Sequence, residues 1–285
     1  MNTPSRLRAK FQPDSAGEPG EWLAGLFHHT EDLERRGEAV AGRARALWLV
    51  GHSQVDECDP VFDYLRGAGL LTEALYRERY ELALSSRQYS LARYLARSLD
   101  EKALEEAGQW LAAHRDPVAF LESEAAREGV PDHRERLLMA IERVALTNAG
   151  LADEYWQRIR ERHRFSSDSR NAVARHIALW YARQHDPGAL SRLNALPASA
   201  ADDEVRRWQV RAALARQEWD DVVAVIASMP AGQRADEEWR YWLAEASART
   251  GDAAQAEALL DDLSQRRSYY GFLAADELGR DYAFE

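Results

Sequence analysis

The sequence predicts an all-α chain in which helical hairpins stack into a solenoid, a right-handed superhelix, and three observations carry that expectation. Apolar residues recur at steps of three and four, with no strand-like alternation along the 285 residues. Gly, Pro, Asp and Ser punctuate them so as to leave room for helices of about ten to twenty residues. The C-terminal third also repeats itself at a spacing of about 33 to 34 residues, the length of one helix pair.

The clearest hairpin lies between 236 and 279. Trp239, Trp242, Leu243 and Ala246 share one helical face, Gly251 supplies the turn and Asp252 the next cap. Ala256, Leu259, Leu260 and Leu263 then form a second stripe, opposite Glu257, Asp261, Asp262 and Gln265. One hairpin cannot bury both of its faces, so neighbours of the same kind are expected. Trp208, Val222, Ile226 and Met229 precede Trp242, Ala256, Leu260 and Leu263 by one common interval, and Ala189, Leu193, Leu196 and Pro197 form an earlier copy. Asp186-Pro187 stands where that copy's second helix is expected to start. The period resembles a tetratricopeptide array, although only Ala256, the Gly251 turn and the proline after the second helix match that consensus.

From the start, residues 1–20 read as a flexible lead-in. Arg6, Arg8 and Lys10 are followed by a polar run where an export signal needs an apolar one. Helical spacing begins at Trp22, Leu23, Leu26 and Phe27 and resumes from Val40 to Val50, closed by Gly51. Breaks are then predicted at Asp59-Pro60, Gly67 to Gly69, Ser85-Ser86, Asp100, Asp116-Pro117, Gly129 to Pro131 and Gly150. The gaps are short, so residues 21–285 are read as one continuous superhelical domain. No apolar run approaches the roughly 20 residues of a membrane helix. Acids outnumber bases 48 to 37, a net charge of -11, which argues against nucleic acid as a partner.

Candidate chemistry is sparse. Cys58 is the single cysteine; a catalytic thiolate needs a histidine beside it, and nothing in the sequence brings His52 to the sulfur, so a structural thiol is expected. His28 and Asp32 can share a helix face, but two ligands make an incomplete metal site. His52, His114, His133, His163, His176 and His185 are scattered. Acid pairs such as Glu105-Glu106, Asp202-Asp203, Asp220-Asp221 and Asp261-Asp262 fit solvent faces or first helical turns. Gly-Glu-Pro-Gly at 17–20 follows no strand and lacks a lysine, so no phosphate cradle and no cofactor are expected. The unusual supply is aromatic, nine Trp and eleven Tyr. Sugar rings stack on such faces, yet the spacing of Trp239 and Trp242 favours core packing. Tyr269, Tyr270 and Phe272 open a small-residue helix, with Ala274 and Ala275, suited to close packing against another element. These five aromatics are the candidate glycan or domain contacts.

Two stretches carry a resemblance. Ala-Leu-Trp-Leu-Val-Gly-His-Ser-Gln followed by Cys-Asp-Pro-Val-Phe-Asp-Tyr-Leu-Arg-Gly-Ala-Gly (46–69), with Glu-Trp-Arg-Tyr-Trp (238–242) and Ser-Tyr-Tyr-Gly-Phe-Leu-Ala-Ala-Asp-Glu-Leu-Gly (268–279), resembles the soluble lytic murein transglycosylases. The resemblance implies the U-shaped superhelical domain of a periplasmic enzyme acting on peptidoglycan. The linker and catalytic domains, with their glutamate-serine motif and Gly-Leu-Met-Gln run, are expected outside these residues, and the helices preceding the Trp-Leu stretch are expected to be missing or replaced by residues 1–40. It further implies that Tyr269, Tyr270 and Phe272 lead toward the catalytic half. Cys58 pairs in the family with an upstream cysteine that this chain lacks. The expectation is a scaffold supporting murein cleavage to 1,6-anhydromuropeptides, with weak contact to peptidoglycan. The alternative is a tetratricopeptide-like adaptor that binds peptides in a concave groove.

Overall fold

The computed structural model describes residues 42–123 and 133–284. The lead-in at 1–20, the helix start at Trp22 to Phe27, His28 with Asp32, and the break at Gly129 to Pro131 lie outside the described residues. Within them every regular element is helical and there is no strand, so the all-α expectation holds. The chain divides into two compact units, Met1–Asp116 and Pro117–Glu285.

In the first unit, α1 (42–48) is followed by a single 3₁₀ turn, Asp56–Cys58. Then come α2 (Asp59–Gly67), α3 (Glu73–Ser85), α4 (Tyr89–Ala96) and α5 (Glu101–Arg115). Pro60 sits in the first turn of α2, where its missing N–H costs nothing. Thr72 and Asp100 cap α3 and α5 by accepting from the Leu75 and Ala103 backbone N–H groups. α3 packs on α4 and α4 on α5. Their core holds Leu47, Trp48, Val61, Phe62, Leu65, Leu75 and Leu95, with Cys58 2% exposed among them. The Trp48 ring meets Phe62 and Tyr76 edge-on, each at 5.2 Å, and its indole N–H donates to the Leu75 carbonyl at 3.4 Å.

The second unit contains α6 (Pro117–Glu122), α7 (Arg134–Thr147), α8 (Ala149–Arg160), α9 (Ser167–Arg183) and α10 (Ala189–Asn194). It continues with α11 (Asp203–Arg216), α12 (Trp219–Ser228), the single turn α13 (Ala231–Arg234), α14 (Glu237–Thr250), α15 (Ala253–Ser264) and α16 (Tyr269–Leu278). Each helix packs on the next in a pair: α7 on α8, α9 on α10, α11 on α12, α14 on α15. First helices of successive pairs also touch, α7 with α9, α9 with α11 and α14 with α16. Of the equivalent positions noted in the sequence, Leu193, Val222, Ile226, Met229, Ala256 and Leu263 are buried, whereas Leu196, Trp208, Trp242 and Leu260 are only partly covered. Asn148, Ser166, Asp202, Asp252 and Ser268 cap their helices with side-chain oxygens. Arg175 of α9 bridges Asp202 at 2.6 Å and Glu204 at 2.7 Å, tying the start of α11 to its neighbour.

Two glycine readings change. The break expected at Gly150 falls at Asn148, whose side chain caps the Leu151 N–H at 2.9 Å; Gly150 lies inside the first turn of α8. Gly51 lies beyond α1 and does not cap it. A methyl group there would stand 2.2 Å from Ser86 Oγ and 2.4 Å from the Leu82 carbonyl, so Gly51 is needed for backbone approach. Gly271 is as tight, with the Arg266 carbonyl 2.1 Å from the position of an added methyl. Gly251 does turn the hairpin, at φ +95°.

Gly271→Ala is therefore expected to lower stability by about 1–3 kcal/mol or more, through overpacking against backbone. Gly108→Ala, in open space inside α5, should raise it by about 0.5–1 kcal/mol from helix propensity. Thermal or urea melts of the two variants read both signs.

Candidate functional site

The five aromatics singled out in the sequence occupy three different environments. Trp239 is 1% exposed and packs with Val210, Val222, Ile226 and Ala246. A ring so covered offers no face to a sugar; its surroundings are core. Trp242 is half-buried one turn on and touches both this cluster and the next one, formed by Tyr241, Leu263 and Ala274. Tyr270, half-buried, leans on that second cluster with its ring 5.7 Å from Tyr241. Tyr269 is 70% exposed and meets Tyr270 edge-on at 5.1 Å.

Phe272 faces elsewhere. Its ring lies 5.1 Å from Tyr282 and 6.0 Å from Phe284, residues that the sequence reading passed over because they follow the last periodic segment. Phe284 is 65% exposed, and the Tyr282 hydroxyl donates to Asp276 at 2.7 Å, which raises the phenol's pKa. The end of the second unit thus presents Tyr269 on one side of α16 and the Phe272, Tyr282, Phe284 group on another. Gly271, Ala274 and Ala275 form its buried face.

A second aromatic surface lies earlier in the same unit. A groove of about 470 Å³ runs between the α9–α10 turn and α11, lined by His185, Pro187, Leu190, Trp208, Arg211 and Arg216. Trp208 is half-buried, with the Arg211 guanidinium 5.5 Å from its ring. An aromatic face flanked by donors is a surface on which a sugar or an extended peptide can lie. Spacing alone had marked Trp208 as a repeat position; that it borders a groove depends on how α10 meets α11.

No group of three His, Cys, Asp or Glu side chains among the described residues stands close enough to hold a metal ion. Likewise, no helix there is long and apolar enough to cross a membrane. The acid pairs serve helix starts and surfaces. Asp202 caps α11, and although burial pushes its pKa up, the Val205 N–H and Arg175 bring it below the ordinary carboxylate range. Asp261 and Asp262 are exposed, and Asp262 pairs with Arg240 at 2.7 Å.

These helix pairs match known proteins. The soluble lytic murein transglycosylase of Salmonella typhimurium is 27% identical over 251 residues, 87% of this chain and 39% of its own length. The Escherichia coli K12 protein of the same name is 26% identical over 276 residues, 95% of this chain and 42% of its own. The chain is a partial relative of the soluble lytic murein transglycosylases. The structure of an inactive variant of the lytic transglycosylase Slt from Pseudomonas aeruginosa superposes with a TM-score of 0.64 at 29% identity. It covers 92% of this chain and 42% of that one. The 70 kDa Escherichia coli soluble lytic transglycosylase, at 22% identity and a TM-score of 0.62, shares the fold over 98% of this chain and 45% of its own. This chain therefore spans less than half the length of the transglycosylases it matches. No protein-family model matches it. The glutamate-serine motif of that family does have a dipeptide counterpart here, Glu122-Ser123, but both residues do structural work. Glu122 accepts from the Tyr155 hydroxyl at 2.7 Å and Ser123 donates back to the Phe120 carbonyl at 2.6 Å, at the end of α6.

Two outcomes are expected. Burial, with Glu245 and Glu277 nearby, pushes the Tyr241 phenol from 10.0 up to about 12. Below pH 10 this residue is neutral folded and unfolded alike; as pH rises toward 12 the unfolded chain loses the proton first, so stability falls. Tyr241→Phe should flatten that alkaline loss in melts followed from neutral pH upward. Cys58, buried in the first unit, should react with a thiol reagent slowly in the native protein and as one equivalent in denaturant. Fast native reaction would place it at the surface.

Proposed function

We propose that this chain is the helical scaffold segment of a peptidoglycan lytic transglycosylase, with the catalytic glutamate on a module outside these 285 residues. One observation carries the reading: sequence similarity runs through 87–95% of this chain yet matches only 39–42% of the relatives' length. The scaffold reading deepens the kinship by asking what the described residues offer. Glycosidic cleavage requires an acid held against the scissile oxygen in a pocket that excludes water. The exposed Glu122 is engaged by Tyr155, and the acids along α11 and α15 are exposed or paired with arginine. In the parent reaction a single glutamate protonates the glycosidic oxygen and then assists the muramoyl C6 hydroxyl in closing a 1,6-anhydro ring. The helix pairs would confine that module on murein in the periplasm. Glycan would be met weakly, along Trp208 and Trp242 or at the Tyr269, Tyr270, Phe272 end, where the linking and catalytic parts would also dock.

The test is to incubate the purified chain with murein sacculi, chromatograph the soluble products and follow sedimentation with the sacculi in moderate salt. No 1,6-anhydromuropeptide is expected, together with weak co-sedimentation that falls when Trp208→Ala, melting like the parent, removes a groove-lining ring. Product above the blank would put catalysis on this chain and overturn the scaffold reading. Absence of co-sedimentation at every concentration would favour a peptide-binding adaptor of tetratricopeptide type, for which the Trp208 groove is the corresponding surface.

A further inference from the structure

The first unit holds a buried cation with no counter-ion among the described residues. Arg79 projects from α3, is 4% exposed, and lies with its guanidinium 4.2 Å from the Trp48 ring and 5.3 Å from that of Phe62. Its one hydrogen bond among the described residues is a long one, Nη2 to the His52 carbonyl at 3.4 Å, and its buried Nε donates to nothing. Burial pulls its pKa down to about 10; the groups that offset this are Tyr94, Cys58 and Tyr76, none of them a carboxylate. The aromatic faces offset part of the desolvation. Nε has no acceptor among the described residues, which is a standing cost in a site screened from water.

Arg79 lines a cavity of about 350 Å³, at the small end of the roughly 300–1,000 Å³ typical of ligand pockets. One wall is apolar, Phe62 and Leu91 with the half-exposed Tyr94. Ser90 adds a hydroxyl that accepts from Arg115 at 3.1 Å and retains its own proton to donate. Asp59 and Asp63 stand at the rim; Asp63 is engaged by Arg66 at 2.6 Å, and no ion pair links either to Arg79 among the described residues. Two rim carboxylates repel a dianion such as phosphate far more than a single negative charge, and a planar guanidinium matches a planar carboxylate.

We propose that this cavity binds a small carboxylate ligand, the carboxylate held by Arg79 and Ser90 and the organic part covered by Leu91 and Tyr94. A peptide C-terminus and a free organic acid share this chemistry. The site stands independently of any action on murein.

The test titrates the full isotope-labelled chain with N-acetylalanine, its uncharged C-terminal amide, acetate and inorganic phosphate, following the Trp48 indole and Arg79 side-chain signals by NMR. Saturable shifts are expected with N-acetylalanine and not with the amide. Weaker binding of acetate assigns part of the affinity to the apolar wall and favours a peptide end, whereas equal binding assigns the site to small organic acids; both keep the carboxylate. Arg79→Met should lose affinity by about tenfold or more, the usual effect of removing a charged hydrogen-bond partner. Arg97→Gln, exposed and outside the cavity lining, should change it little. Should Arg79→Met fail to fold, Tyr94→Ala, a surface change, must weaken N-acetylalanine several-fold while leaving the melt unchanged. The proposal is overturned by absence of saturation with either carboxylate, by equal response to acid and amide, by phosphate binding more tightly, or by unaltered affinity in a folded Arg79→Met or Tyr94→Ala.

Discussion

Nearly everything in the second unit follows from helices that must bury two faces at once. α14 is the plainest case: Trp239 and Ala246 go into the core shared with α11 and α12, while Tyr241 goes into the one shared with α15 and α16. A helix with one apolar stripe can end a structure, but one with two demands a neighbour on either side. Trp242 sits on the seam and touches both clusters. Close approach on two sides also dictates small residues, which is why Ala244, Ala246, Ala274 and Ala275 are fully covered and why Gly271 has no room for a methyl group.

The polar chemistry serves the same end. Several of the acids are helix caps or arginine partners, and Glu122 and Asp276 accept from tyrosine hydroxyls. Asp100 takes the Ala103 N–H and the Arg77 guanidinium, and Asp202 does the same with Val205 and Arg175. Arginines in turn lie over rings, Arg192 on Tyr181, Arg249 on Trp219 and Arg158 on Tyr155, at 4.0 to 4.4 Å. These pairs cover aromatic edges that would otherwise face water and leave few rings open to a ligand. Tyr269, Trp208 and Phe284 are the informative exceptions, since an exposed or groove-lining ring has no packing reason to be large.

The proposed scaffold role separates support from chemistry. Stacked hairpins supply a long surface with little concavity at any one pair, whereas acid catalysis needs a closed pocket around one group. A chain that matches under half of its transglycosylase relatives while carrying helix pairs throughout its described residues fits the first role. Arg79 is different, because its charge is enclosed by Trp48 and Phe62 and has no ion-pair partner among the described residues.

Local rules were legible in the sequence because they act over three or four residues. Periodicity marked the helices of the hairpin from Glu237 to Ser264, Gly251 its turn and Asp252 the cap of its second helix, and the break at Asp100 proved to be the cap of α5. The 46–69 and 268–279 stretches carried the kinship. What the sequence could not settle was which of two equally apolar faces meets which neighbour. Trp239 and Trp242 share a stripe, but only packing decided that one is sealed and the other lies on a seam. Gly51 read as a helix stop, and the contact that requires it comes from Leu82 and Ser86, far along the chain. Nothing in the sequence singled out Arg79, whose burial arises from α1 and α2 bringing Trp48 and Phe62 over it. Helix formation depends on neighbours in sequence, whereas the fate of a side chain depends on neighbours in space, and those exist only once the pairs have stacked.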